Sequence, residues 1–169
     1  MLKGIGAALV ILACGICGFS MAGSFRYLEN TLGEMIKALE LMHCQMEYRL
    51  TPLPEICGIL CAGCGGIVGK VFEAFGKELR KTDTADAEAC MKKALEFYPE
   101  MPEKCGKSLE RLSITLGKTD LMTQLHGIKL EQELLRKELG NIQKDQPARL
   151  KSYRTLGICC GIALAILLL

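Results

Sequence analysis

Two uncharged, apolar stretches occupy the ends of the chain and enclose a polar middle. The first stretch, Gly4 to Gly23, would reach about 30 Å as a helix, which matches the hydrocarbon core of a bilayer. The second stretch, Leu156 to Leu169, would reach only about 21 Å and would need local thinning of the bilayer or snorkelling of flanking cations. This pattern predicts an N-terminal transmembrane helix over residues 1–24, a polar domain over 25–155 and a C-terminal transmembrane segment over 156–169.

Apolar residues recur at spacings of three and four at both ends of the polar domain, which is typical of a coiled-coil seam. The first seam continues the N-terminal apolar stretch, so one unbroken helix is expected to reach about Leu50. The last seam starts near Asp120 and contains Gln132 as its polar member. The helix that carries this seam is expected to kink or break at Pro147. We expect the two long helices to pack against each other antiparallel. The seam members are Phe25, Leu28, Leu32, Met35, Leu39, Met42 and Met46 in the first helix, and Leu121, Leu125, Ile128, Leu135, Leu139 and Ile142 in the last.

Turn and capping residues divide the stretch between the two seams into four shorter helices. Thr51 is predicted to cap a helix that has Pro52 in its first turn, and Asp83 or Thr84 is predicted to cap a later one. The expected helices cover about 53–62, 68–81, 85–97 and 103–116, with glycines or prolines at their ends. The fold class is therefore predicted as all-α, a bundle of about six helices between two apolar ends.

The distribution of positive charge predicts which side of the membrane the polar domain occupies. Six Lys or Arg residues flank the domain, whereas Lys3 is the single cation on the other side of the first apolar stretch. Because positive charge marks the cytoplasmic side, residues 25–155 are expected to be cytoplasmic. The alternative is a cleaved signal peptide, for which Ser20-Met21-Ala22 resembles a cleavage site, and an exported helical domain.

Composition and motifs give no sign of catalysis or of nucleic-acid binding. The net charge is only +2, which does not suit a nucleic-acid partner, and neither His43 nor His126 lies in a recognisable catalytic motif. Gly65 and Gly69-Lys70 come near a phosphate-binding loop but are too closely spaced for one. We therefore expect a non-enzymatic protein without a cofactor.

Ten cysteines are present, and three of them lie on one predicted helical face. Cys57, Cys61 and Cys64 are spaced by four and three residues, and a fourth ligand such as Cys44 or Cys90 would be needed to complete a zinc site. Buried cysteines also serve as small apolar residues, which is the simpler interpretation. A Cys-based metal-binding or redox membrane protein stays as the alternative function.

Small residues recur every four positions in both apolar ends, a spacing that lets transmembrane helices approach closely. Gly18 and Ala22 have this spacing in the first stretch, and Gly157 and Gly161 have it in the second. These four residues are predicted to pack the two segments together or against neighbouring chains, and a homo-oligomer is one such outcome.

Several short motifs, in a specific order, resemble the stage III sporulation protein AB family of endospore-forming bacteria. The resemblance covers essentially the whole chain. The motifs are Leu2-Lys3-x-Ile5-Gly6-Ala7, Thr51-Pro52-Leu53-Pro54-Glu55, Leu116-Gly117-Lys118-Thr119-Asp120 followed by Gln124 and His126, and Tyr153-Arg154-x-Leu156-Gly157.

The resemblance implies a membrane protein of the mother cell, in the channel complex that links mother cell and forespore. It also implies a cytoplasmic helical bundle similar to the F domain of the inner-membrane platform protein of type II secretion and type IV pilus systems. Expected partners are membrane lipids and other stage III sporulation proteins, including the secretion-type AA ATPase. We predict that exposed charges near the Thr51–Glu55 turn, namely Glu47, Arg49 and Glu55, dock this ATPase.

Overall fold

The computed structural model describes the backbone of residues 2–81 and 86–168 and the side chains of residues 23–81 and 86–144. Within these residues the chain forms six α-helices and no strand, which confirms the predicted all-α class. Their bounds are α1 Leu2–Arg49, α2 Leu53–Gly63, α3 Gly66–Lys81, α4 Ala87–Glu96, α5 Glu103–Thr115 and α6 Leu121–Leu168. The short helices begin and end within a few residues of the predicted bounds.

The two long helices run through two compact units. One unit consists of Met1–Glu29 and Gly140–Leu169, where the amide of Gln143 donates a hydrogen bond of 2.9 Å to the carboxylate of Glu29. The other unit is Asn30–Leu139, and it contains α2 to α5 together with the inner parts of α1 and α6. We call this second unit the bundle.

The bundle core contains the middle members of both predicted seams. In α1 the members from Leu32 to Met46 are all buried, and in α6 Leu125, Ile128 and Leu135 are buried. The amide of Gln132, the polar seam member, donates to the backbone carbonyl of Ile36 at 3.5 Å and so joins α6 to α1. The period of three and four residues therefore predicted most of the core face of both long helices, whereas the seam member Leu121 is exposed and Leu139 and Ile142 are only half-buried.

Glycines allow α2 and α3 to approach closely. A β-carbon at Gly76 would lie 2.8 Å from the β-carbon of Cys57, and one at Gly69 would lie 2.5 Å from the carbonyl oxygen of Cys64. The turn between the two helices is short because Gly66 adopts a φ of +62°, a conformation that glycine takes at little cost. The break predicted at Gly63, Gly65 and Gly66 is confirmed.

An ion pair that the sequence pattern did not predict joins α5 to α6. The Arg111 guanidinium donates two hydrogen bonds of 2.6 Å, from Nε and Nη2, to the two carboxylate oxygens of Glu131. Glu131 is only 5% exposed, and its hydrogen bonds raise the pKa of Arg111. A paired, two-bond geometry of this kind satisfies a carboxylate that would otherwise be costly to bury.

Three local predictions differ from the structure. The N-cap of α4 is Asp86, whose carboxylate accepts from the backbone N–H of Glu88 at 3.3 Å, so α4 starts later than the predicted cap at Asp83 or Thr84. Thr51 does not cap α2, because its backbone N–H and hydroxyl turn back to Gln45, and Pro52 takes the N-cap position. The helix α6 continues through Pro147, so the predicted interruption is wrong; one proline removes one backbone hydrogen bond, which a long helix tolerates.

Among the described residues, no helix has a stretch that is both long and apolar enough to cross a membrane. The segments predicted over 1–24 and 156–169 stay predictions. Gly18, Ala22, Gly157 and Gly161 lie in helical backbone, but their side chains are outside the described residues.

Candidate docking surface

Two contacts between helix ends mark one end of the bundle. The end of α3 contacts the start of α2, where the Arg80 guanidinium donates a hydrogen bond of 3.2 Å to the carbonyl of Pro54. The turn between α5 and α6 contacts the α4 start through an ion pair of 2.7 Å between Lys118 and Asp86. We call this end the distal end, and it consists of residues 47–55, 80–81, 86–88 and 116–122.

Side-chain contacts along the helices explain why these helix ends lie there. The α2 helix runs back along α1, and a hydrogen bond of 2.6 Å from the Gly65 N–H to the carboxylate of Glu34 joins its end to the middle of α1. The α3 helix then returns beside α2, with Gly76 against Cys57. The chain thus reverses direction after α1 and again after α2, and the ion pair between Lys118 and Asp86 places the end of α5 beside the start of α4.

The turn between α1 and α2 has an unusual backbone at Leu50. This residue has a φ of +49°, the left-handed conformation that favours glycine. Two hydrogen bonds of 3.3 Å close the turn. The Thr51 N–H donates to the backbone carbonyl of Gln45, and the Thr51 hydroxyl donates to the side-chain oxygen of Gln45. The turn therefore directs Leu50 outwards, where its side chain is 71% exposed.

All three predicted docking residues are exposed at this turn. Glu47 lies 3.3 Å from Nδ1 of His43, one helical turn earlier. Arg49 ends α1, and Glu55 lies in the first turn of α2, where its charge complements the helix dipole. The structure brings the three residues into one short region, and docking itself stays a prediction.

Sequence reasoning missed the apolar residues of the distal end. Tyr48 is 76% exposed, and Leu50 and Met122 are exposed as well. The exposure of Tyr48 could have been predicted, because the core residues of α1 follow a regular heptad seam and Tyr48 lies outside it. No such signal marks Leu50, because leucine rarely takes the left-handed position that closes a helix, which is usually glycine or asparagine.

Two cysteines of α2 and the Cys64 that caps its C-terminus do not converge on a metal site. Cys57 and Cys64 are buried, Cys61 is half-buried, and the part of the chain with described side chains has no group of three metal-ligating residues. Burial raises the pKa of Cys57 to about 12, an effect that the nearby Arg80 only partly offsets, and burial raises the pKa of Cys64 as well. Protonated, buried thiols are poor nucleophiles and poor ligands, so Cys57 and Cys64 act as small apolar packing groups.

Comparison with known proteins gives a consistent assignment. Residues 3–169 match the model of the family described as stage III sporulation protein AB. The chain is 26% identical over 172 residues to stage III sporulation protein AB of Bacillus subtilis (strain 168), covering all of both chains. A solved structure of stage III sporulation protein AB is similar in fold, with a TM-score of 0.62 and 21% identity over 70% of this chain and 94% of that chain. The chain therefore belongs to the stage III sporulation protein AB family, as its motifs predicted.

Proposed function

We propose that the protein is a non-enzymatic membrane platform in the channel complex between mother cell and forespore, and that its distal end docks a cytoplasmic secretion-type ATPase. Membership of the stage III sporulation protein AB family supports a role in sporulation. The platform role, the partner and the location in the mother-cell membrane follow from the family resemblance and from the apolar ends of the sequence.

The observation that carries the docking step is the exposed turn that ends α1. Glu47, Arg49 and Glu55 are concentrated there, beside the contact between the end of α3 and the start of α2. Charges at such an edge steer a partner and fix its orientation. Because the turn directly follows α1, a protein bound there would act on a helix whose members from Leu32 to Met46 are packed into the bundle core.

The proposed mechanism is mechanical. Motion of the ATPase would press on the distal end, and α1 and α6 would carry the force towards the membrane. The buried seam and the Gln132 contact with Ile36 support rigid coupling of the two helices within the bundle. A likeness of the bundle to the secretion-system F domain fits this mechanism.

Charge reversal tests the docking step. The full-length chain, in lipid nanodiscs, would be tested for binding to the purified stage III sporulation AA ATPase, with Glu47→Lys, Arg49→Glu and Glu55→Lys made singly and together. We expect the triple variant to bind at least about five-fold more weakly, because each reversal places like charges across the interface. A Glu133→Lys variant is the matched control, since Glu133 is exposed on α6 away from the distal end.

Unchanged binding of the triple variant would remove this docking site. Absence of binding by the wild-type chain would remove the ATPase as its partner. Mass spectrometry of the mature N-terminus separately tests the topology, because a start near Gly23 would identify a cleaved, exported domain instead.

A further inference from the structure

We draw no further inference here: the strongest candidate, the apolar surface patch that the exposed side chains of Leu130 and Leu134 form one turn apart on α6, carries no proposal because nothing in the structure shows what covers it.

Discussion

Gly69 of α3 lies so close to Cys64 that a β-carbon at this position would stand 2.5 Å from the Cys64 carbonyl oxygen. Backbone atoms on both sides cannot move aside as a flexible side chain could. We expect Gly69→Ala to lower the free energy of unfolding by about 1–3 kcal/mol, the usual cost of forcing atoms into a packed region. Thermal unfolding followed by circular dichroism measures the change.

Gly33→Ala is the control for this substitution. Gly33 lies inside α1, and a β-carbon there would meet nothing within 4 Å. Alanine in an open helical position should raise the free energy of unfolding by up to about 1 kcal/mol. Equal effects of the two substitutions would show that close packing between α2 and α3 does not require glycine at position 69.

The ion pair between Arg111 and Glu131 predicts an asymmetric response to mutation. Glu131 is 5% exposed, whereas the side chain of Arg111 is 53% exposed. Arg111→Ala leaves a buried carboxylate without its partner and should cost about 2 kcal/mol of unfolding free energy. Glu131→Gln keeps the shape and leaves an arginine that water can reach, so about 1 kcal/mol is expected.

The double variant Arg111→Met with Glu131→Leu completes this test. Removing both partners leaves no buried charge, so most of the stability should return. If the double variant were less stable than Arg111→Ala, the cost would come from lost packing rather than from an unpaired carboxylate. Chemical unfolding of all variants under one buffer condition gives the comparison.

Cysteine reactivity should follow burial. Cys44 is exposed, whereas Cys57 and Cys105 are buried and each has its pKa raised to about 12. Because the thiolate is the reactive form, iodoacetamide at pH 8 should modify Cys44 long before the other two. Peptide mass spectrometry at timed intervals measures this order, and rapid labelling of Cys57 in the folded chain would contradict the proposed packing of α2 on α3.

The same burial gives the sign of the alkaline pH dependence. In the unfolded chain these two thiols lose protons near their ordinary pKa of 9.0, whereas in the folded chain they hold them until about pH 12. The contribution of the two buried thiols to the free energy of unfolding is therefore fully present below pH 9. It is lost as the pH rises from 9 to 12, by about 1.4 kcal/mol per pH unit for each thiol. A Cys57→Ala, Cys105→Ala double variant should show a flatter stability profile in that range.

The N-cap of α6 predicts an acid dependence of opposite sign. The Asp120 carboxylate accepts from the backbone N–H of Thr123 at 3.0 Å and from its hydroxyl at 2.7 Å, and these bonds hold the pKa of Asp120 below its ordinary 3.8. A lowered pKa stabilises the fold above about pH 4, and this stabilisation is lost as the pH falls through the folded value. Asp120→Ala should therefore melt earlier than wild type at pH 7, and the difference should shrink towards pH 2; a constant difference would contradict the role of the charge.

The periodic features of the bundle were predictable, and the exceptions have specific physical causes. The seams of α1 and α6 repeat every three or four residues, so their buried faces could be read directly. The burial of Glu131 could not be predicted, because its partner Arg111 lies on another helix. The cap of α4 was misplaced because Asp83, Thr84 and Asp86 are all capping residues, and the helix start depends on packing against the turn at Lys118.

The candidate surface was predicted for its charges and missed for its apolar residues. Glu47, Arg49 and Glu55 flank a turn that Pro52 and Pro54 make evident in the sequence. Leu50 is exposed where the backbone turns left-handed after α1, a helix ending that the sequence usually signals with glycine or asparagine, and here the residue is leucine.

The ion pairs between α5 and α6 repeat with the same period as the seam. Arg111 pairs with Glu131, and one heptad further along Lys104 pairs with Glu138. If α6 slid by seven residues in one direction, Glu138 would face Arg111, but Glu131 would lie beyond the end of α5 at Thr115; in the other direction Glu131 would face Lys104, and Glu138 would lose its cation. Either slip keeps one ion pair and loses the other, so the two pairs together favour the observed register. The short turn over residues 116–120, with Gly117 at a φ of +76°, restricts such a slip as well, because it leaves little spare chain for α6 to move along α5.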